Sequence, residues 1–215
     1  MDIGVIGSGR IGSTVARLAA ATGHAVVIAN SRGAESLAAL VAELGPGVRA
    51  GTVQEAARHG GLVLVAIPLH AIDALPAEPF AGSVVGDANN YYPGRDGQIA
   101  ALDAEETTSS ELLADRLPGA RVVKAFNTMY WGTLGSAGRP DAPRDERLAL
   151  YAAGDDPEAK RLVLDLYDEL GFAPVDAGGL ADGGRRLQPG SPVYGTDLEG
   201  AEAREALAAS GQTGR

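Results

Sequence analysis

The sequence predicts an α/β protein with a doubly wound, mainly parallel sheet of about eight strands. Short apolar runs alternate with segments of helical spacing along the chain. A glycine-rich turn joins the first apolar run to the first helical segment. Runs such as 62–67 are continuously apolar, which is typical of parallel strands that are buried on both faces.

The first 32 residues contain the pattern around which the chain is organised. Residues 3–6 form an apolar strand, helical spacing over 15–22 ends at Gly23, and 25–29 form a second strand. The turn between the first strand and the helix, a G-x-G-x-x-G, consists of Gly7, Ser8, Gly9, Arg10, Ile11 and Gly12. Strand, glycine turn, helix and strand within about thirty residues indicate a Rossmann-type fold whose helix N-terminus receives a dinucleotide pyrophosphate.

The end of the second strand indicates which dinucleotide is bound. An NAD site places a carboxylate there for the ribose hydroxyls, whereas this chain has Asn30, Ser31 and Arg32. Arg32 can hold the 2′-phosphate of NADP with its planar guanidinium, and Ser31 can donate a hydrogen bond to it. The alternative is that these residues form a solvated turn that begins a helix.

The remaining elements follow from periodicity and turn residues. Helices are expected over 34–44, 53–58 with a cap at Thr52, 110–117, from Asp156 to Gly171, and 197–209; strands are expected over 48–50, 62–67, 83–86, 122–126, 148–153 and 172–175; irregular segments are expected over 95–109, 129–147 and 178–195. We expect a single domain with a short C-terminal helical tail, in which residues 1–180 bind NADP and 181–215 form a C-terminal extension packed on it. The last residues are expected to be disordered.

Composition excludes several classes of function. The net charge of −10 opposes binding to nucleic acids or anionic membranes. The absence of cysteine excludes disulfides and thiol catalysis and fits a cytoplasmic protein. The three histidines lack metal-ligand spacing, so no metal is expected. A strand begins almost at Met1, which leaves no room for a signal peptide, and no apolar run has membrane-spanning length.

Candidate site residues follow the predicted strands at their carboxyl ends, where doubly wound sheets bind ligands. His70 follows the fourth strand and is either a proton donor or a side chain at a helix start. Asn89, Asn90 and Asn127 can bind a carboxamide or a ring carbonyl, although asparagine is also a common turn residue. Tyr91 and Tyr92 either flank a stacked ring or pack under the following loop.

Three familiar enzyme classes lack their motifs here. No tyrosine is followed four residues later by lysine, as the short-chain dehydrogenase acid–base pair requires. The sequence also contains no G-x-S-x-G elbow and no G-K-[ST] phosphate loop.

The segments GVIGSGRIG, ANSR, VLVAIPLHAI, VVGDANNYYP, VVKAFNT and YAAGDDPEAKRLVLDLYDELGFAPVDAGGL occur in this order. Together they resemble the NADPH:F420 oxidoreductase family, whose fold also serves as the reductase domain of the STEAP metalloreductases. The resemblance covers residues 1–180. Residues 87–93 depart from the archaeal F420 enzymes and are closer to bacterial relatives and to the metalloreductase domain.

The resemblance implies hydride transfer between NADP(H) and coenzyme F420 or a flavin such as FMN or FAD. Residues 7–11 would bind the pyrophosphate, Ser31 and Arg32 the 2′-phosphate, and Ile67, Pro68 and His70 the nicotinamide. The full set of expected cofactor-binding residues is Gly7, Ser8, Gly9, Arg10, Ile11, Gly12, Asn30, Ser31, Arg32, Ile67, Pro68, His70, Asn89 and Asn127. The candidate catalytic residues are His70, Asn90 and Tyr92.

Two other functions stay open at this point. The chain is alternatively an NADPH-dependent reductase of a small carbonyl or imine compound, or a sensor that binds NADPH without catalysis. The expected partners are a small-molecule redox acceptor and a second copy of the chain in a homodimer, since one sheet edge is otherwise hard to cover.

Overall fold

Eight strands form one sheet in the order β3-β2-β1-β4-β5-β6-β7-β8 in the computed structural model, which describes residues 1–211. The strands are β1 (Asp2–Ile6), β2 (Ala25–Ala29), β3 (Val48–Ala50), β4 (Leu62–Val65), β5 (Val84–Asp87), β6 (Arg121–Lys124), β7 (Ala149–Gly154) and β8 (Ala173–Gly178). All neighbouring pairs are parallel except β6 and β7. The predicted Rossmann-type, mainly parallel sheet of about eight strands is confirmed.

Ten α-helices lie among the described residues. They are α1 (Arg10–Ala21), α2 (Ala38–Leu44), α3 (Val53–Arg58), α4 (Pro93–Asp96), α5 (Ala100–Asp103), α6 (Ser109–Arg116), α7 (Trp131–Ser136), α8 (Pro157–Glu169), α9 (Asp182–Arg186) and α10 (Gly200–Ser210). Several ends follow from local chemistry. Thr52 and Glu55 form a capping box at α3, Asp156 caps α8, and Gly171 ends α8 with a φ of 84°.

The core consists of layers on both faces of the sheet. Successive strand residues point to opposite faces, so Ile3 and Val5 pack with α1 and α8 residues on one side, whereas Ile6 packs with Phe80 and Leu113 on the other. A third buried cluster joins β7 and β8 to residues of the C-terminal segment, including Leu187, Val193 and Leu207. No described helix is long and apolar enough to cross a membrane.

Three expected irregular segments contain helices, and this expectation is wrong there. The segment 95–109 contains α5 and the end of α4, 129–147 contains α7, and 178–195 contains α9. These helices have four to six residues, too few for an apolar periodicity to show in the sequence. The expected helix over 34–44 begins as a 3-10 turn, Ala34–Leu37, and 3-10 segments at Leu69–Ala74 and Glu78–Phe80 were not expected.

Predicted boundaries of the remaining elements are shifted by a few residues. The strand expected over 62–67 ends at Val65, and that expected over 122–126 ends at Lys124, because the chain turns away there to line a cavity. The terminal helix begins at Gly200 instead of residue 197. The expected disorder of the last residues lies outside the described residues.

Candidate functional site

The glycine loop after β1 contains two glycines that the backbone requires and one that faces open space. A Cβ on Gly7, which has a φ of 115°, would lie 2.1 Å from the Ala66 carbonyl oxygen. A Cβ on Gly12 would lie 1.9 Å from the Gly7 carbonyl oxygen. A Cβ on Gly9 would meet nothing within 4 Å. The outer side of the loop is therefore free for a ligand, as the dinucleotide motif demands.

The N-terminus of α1 presents backbone N–H groups beside this open space. Gly9 is the N-cap residue, has no capping side chain, and is followed by no acidic residue in the first turn of the 12-residue helix. Such a helix end favours an anion through its free N–H groups and its dipole. The structure thus fits a pyrophosphate at the glycine loop.

The turn after β2 is organised by Asn30. Its Oδ1 accepts a hydrogen bond from the Arg32 backbone N–H at 2.9 Å, and its Nδ2 donates to the Ser8 hydroxyl at 3.2 Å. Asn30 therefore links this turn to the glycine loop. Ser31 and Arg32 are exposed, and within residues 1–211 no ion pair or hydrogen bond engages the Arg32 side chain. The guanidinium is free to bind an anionic group such as a 2′-phosphate.

Two cavities adjoin at the glycine loop. The first, which we call the turn cavity, has a volume of about 490 Å³ and includes Asn30, Ser31 and Arg32 in its lining. The second, the strand-end cavity, has a volume of about 480 Å³ and lies beyond the carboxyl ends of β4, β5 and β6. Both are lined by Gly9, Ala66, Ile67 and Pro68. Together they form an elongated site across the point where the strand order reverses, between β1 and β4.

Two buried asparagines that line the strand-end cavity each have one amide atom without a hydrogen-bond partner among the described residues. Asn89 is 2% exposed, and its Oδ1 accepts from the Ile67 N–H at 3.0 Å. Asn127 is 4% exposed, and its Nδ2 donates to Asn90 Oδ1 at 3.1 Å and also to the Leu187 carbonyl oxygen. Asn89 Nδ2 and Asn127 Oδ1 have no hydrogen-bond partner among the described residues. Most buried polar atoms in proteins have a partner, so each of these asparagines retains one hydrogen-bonding atom that no described residue uses.

A buried ion pair holds Asn89 from behind. Lys124 Nζ lies 3.7 Å from Asp87 Oδ2 and donates to the Asn89 carbonyl oxygen and the Ser109 and Ser110 hydroxyls at 3.1 Å each. Asp87 Oδ1 accepts from the Asn89 N–H at 2.9 Å. Burial raises the pKa of Asp87 and lowers that of Lys124, and each charge opposes the shift of the other. The sequence does not indicate this pair, because its two residues become neighbours only through the register of β5 and β6.

A strained residue turns the chain into the cavity after β6. Phe126 has a φ of 56°, in the left-handed region that β-carbon sterics disfavour. Its N–H donates to the Tyr167 hydroxyl at 3.1 Å, and its ring lies edge-on to the Tyr167 ring at 4.8 Å. These contacts hold the conformation that places Asn127 in the lining of the cavity.

His70 lines neither the turn cavity nor the strand-end cavity. The side chain is 50% exposed, and its Nδ1 lies 2.9 Å from Asp96 Oδ1. Burial alone would raise the pKa of Asp96, but hydrogen bonds from Arg95, the Tyr92 N–H and His70 hold it well below its usual range. His70 is therefore paired to a carboxylate at the rim, and its proposed role as a proton donor stays a prediction.

Aromatic side chains form the outer wall of the strand-end cavity. Tyr92 is present as expected, whereas Tyr91 turns away, and its hydroxyl donates to Asp103 at 2.8 Å. Trp131 and Tyr194 were not predicted as site residues, and both line the cavity together with Tyr130, which the sequence offered only as a possible proton donor to a carbonyl or imine substrate. The only available signal was that Tyr130 and Trp131 follow shortly after the expected strand-end residue Asn127. The Arg10 guanidinium lies 4.9 Å from the Trp131 ring.

The sheet order and the two joined cavities define a Rossmann-type dinucleotide-binding protein. The family described as NADP oxidoreductase, coenzyme F420-dependent, matches residues 2–91. The crystal structure of a hypothetical protein, SMa0349 from Sinorhizobium meliloti, has 33% identity and a TM-score of 0.81, and the match covers 93% of this chain and 96% of that one. A protein from Arthrobacter sp. FB24, provisionally described as an F420-dependent NADP reductase, has 26% identity and a TM-score of 0.74 over 92% and 99% of the two chains.

The rat (Rattus norvegicus) metalloreductase STEAP3 is 29% identical over 181 residues, which are 83% of this chain. The chain spans little more than a third of the length of the curated relatives it matches. Residues 2–91 of this chain match the family of F420-dependent NADP oxidoreductases, and the similarity to the two solved structures extends over more than nine tenths of the chain. The resemblance stated from the sequence is confirmed.

Proposed function

We propose that the chain is an NADPH-dependent oxidoreductase that transfers hydride between NADP(H) and a planar ring acceptor, coenzyme F420 or a flavin. The observation that carries this proposal is the pair of adjoining cavities. One includes in its lining an unpaired arginine suited to a 2′-phosphate, and the other is lined by two asparagines with unpaired amide atoms and by an aromatic wall.

The residues of the two cavities suit different parts of NADP(H). Arg32 and Ser31 would hold the 2′-phosphate, and the α1 N-terminus with Gly9 would hold the pyrophosphate. Asn89 Nδ2 and Asn127 Oδ1 would orient the carboxamide, and Pro68 would form a rigid wall because its ring fixes the backbone. When bound, NADPH supplies a hydride from its nicotinamide ring.

The composition of the strand-end cavity favours a ring acceptor. No carboxylate side chain is among its lining residues, and the buried Lys124 and Asp87 lie behind it and hold Asn89. A flavin or deazaflavin spreads the added charge over its own rings, so the protein mainly needs to position two rings and exclude water. Tyr130 and Trp131 offer flat surfaces for such a ring.

The test is NADPH oxidation followed at 340 nm with F420, FMN, FAD and a panel of small carbonyl and imine compounds. We expect turnover with F420 or a flavin and none above background with the panel. Turnover restricted to a carbonyl or imine compound would replace the proposed acceptor. Tight NADPH binding without turnover on any acceptor would instead indicate a sensor.

A further inference from the structure

Two tyrosines from distant parts of the chain meet at the wall of the strand-end cavity. Tyr92 follows β5, and Tyr194 lies in the segment between α9 and α10. Their hydroxyl oxygens are in direct hydrogen-bond contact across 102 positions of sequence. The Gly195 N–H anchors this segment by donating to the Thr128 carbonyl oxygen at 2.8 Å. The C-terminal segment therefore completes the wall of the cavity.

The hydrogen bonds of the pair leave one hydroxyl hydrogen unused. Asn90 Nδ2 donates to the Tyr194 oxygen at 3.2 Å, and one phenol must donate to the other. If Tyr194 donates, the Tyr92 hydrogen has no acceptor, and if Tyr92 donates, the Tyr194 hydrogen has none. Within the range 1–211 neither hydroxyl has a further acceptor. In both arrangements one O–H remains for a ligand or for water.

The surroundings keep this donor in place and protonated. Arg95 Nη2 donates to the Asn90 carbonyl oxygen at 2.6 Å, and its guanidinium lies 5.0 Å from the Tyr92 ring. Asp96 in turn binds Arg95 by two hydrogen bonds, at 3.0 and 2.8 Å. Burial and the neighbouring Tyr92 raise the pKa of the Tyr194 phenol, so the phenol keeps its proton at neutral pH.

We infer that Tyr92 and Tyr194 act as one shared hydrogen-bond donor that selects a planar second substrate with a carbonyl oxygen or another acceptor atom on its ring edge. The inference rests on the proposed function, because it assigns the second substrate to the strand-end cavity. The two phenols are specificity-determining residues. Asn90 and Arg95 position them.

If the donor is shared, either hydroxyl should be able to replace the other. In Tyr92→Phe, the Tyr194 hydroxyl still accepts from Asn90 and is free to donate to the ligand. In Tyr194→Phe, the Tyr92 hydroxyl loses its partner and is equally free. Only the double variant removes the donor. We expect the dissociation constant for FMN or coenzyme F420 to rise less than threefold in each single variant and about tenfold in the double variant.

Binding of FMN and F420 is measured by their own fluorescence, with NADPH binding and thermal unfolding measured on the same samples. Tyr151→Phe is the matched control, because this hydroxyl is buried on β7, has no partner among residues 1 to 211, and is not among the residues that line the strand-end cavity. NADPH affinity should stay within twofold of wild type throughout. That result, with the tenfold loss confined to the double variant, supports the inference.

Three results would overturn it: a double variant within threefold of wild type, a tenfold loss already complete in one single variant, or a parallel loss of NADPH affinity. A wild-type protein that binds neither FMN nor F420 would also overturn it. The proposed function fails separately if the wild type binds these probes but oxidises NADPH with neither. In that case the double variant still decides the role of the tyrosines.

Discussion

Replacing Arg32 by alanine should convert a preference for NADPH into near indifference between NADPH and NADH. Arg32 is exposed and makes no side-chain contact with polar groups of residues 1–211, so its removal costs the folded protein little. What is lost is a charge-assisted hydrogen bond to the 2′-phosphate, worth about 1.5–3 kcal/mol. That energy corresponds to a dissociation constant for NADPH raised about 10- to 150-fold.

The assay is a titration of the wild type and of Arg32→Ala with NADPH and NADH, followed by quenching of the single tryptophan, Trp131. Arg161→Ala is the matched control, because this exposed arginine on α8 changes the net charge equally and does not line the turn cavity. NADH affinity should be unchanged in both variants. Added salt should weaken NADPH binding in the wild type more than in Arg32→Ala. Equal wild-type affinities for the two nucleotides would refute the reasoning, as would an equal loss of both in Arg32→Ala.

Three further predictions concern folding, pH and assembly. Gly12→Ala should unfold at a markedly lower temperature than wild type, because the added Cβ would lie 1.9 Å from a backbone oxygen. Gly9→Ala should unfold at the wild-type temperature and lose NADPH affinity. Matching melting curves for the two variants would contradict this prediction. Asp168 accepts hydrogen bonds from Arg144 and Arg147, and the bond from Arg144 contributes most to lowering the pKa of Asp168. The ionised carboxylate therefore stabilises the fold above about pH 4, and this stabilisation is lost as the pH falls through the folded-state pKa. Asp168→Asn should therefore cost about 1 kcal/mol of unfolding free energy at pH 7 and progressively less below pH 4, and a pH-independent difference in denaturant melts would count against it. The chain should form a homodimer in light scattering at micromolar concentration, because β3 and β8 are sheet edges, and a monomer there would reject the prediction.

The sequence determined those parts of the molecule that depend on neighbouring residues. The glycine loop, α1 and β2 were predicted because apolar runs, glycine spacing and the helix-ending Gly23 act within a few residues of one another. The caps Thr52 and Asp156 were predicted for the same reason, since each binds backbone N–H groups two or three positions away. Ser31 and Arg32 lie in one short turn, so their placement in a single cavity also followed from the sequence.

Only the tertiary structure decided which distant side chains meet. The short helices α5, α7 and α9 carry no apolar repeat. The antiparallel pairing of β6 with β7 has no signature in the two strands themselves. The buried Asp87–Lys124 pair joins residues 37 positions apart, and the contact of Tyr92 with Tyr194 joins residues 102 positions apart. Which atoms of Asn89 and Asn127 lack a partner likewise depends on distant neighbours. Hydrogen bonding and burial at such separations depend on the packing of the whole chain, and a local pattern of residues does not record them.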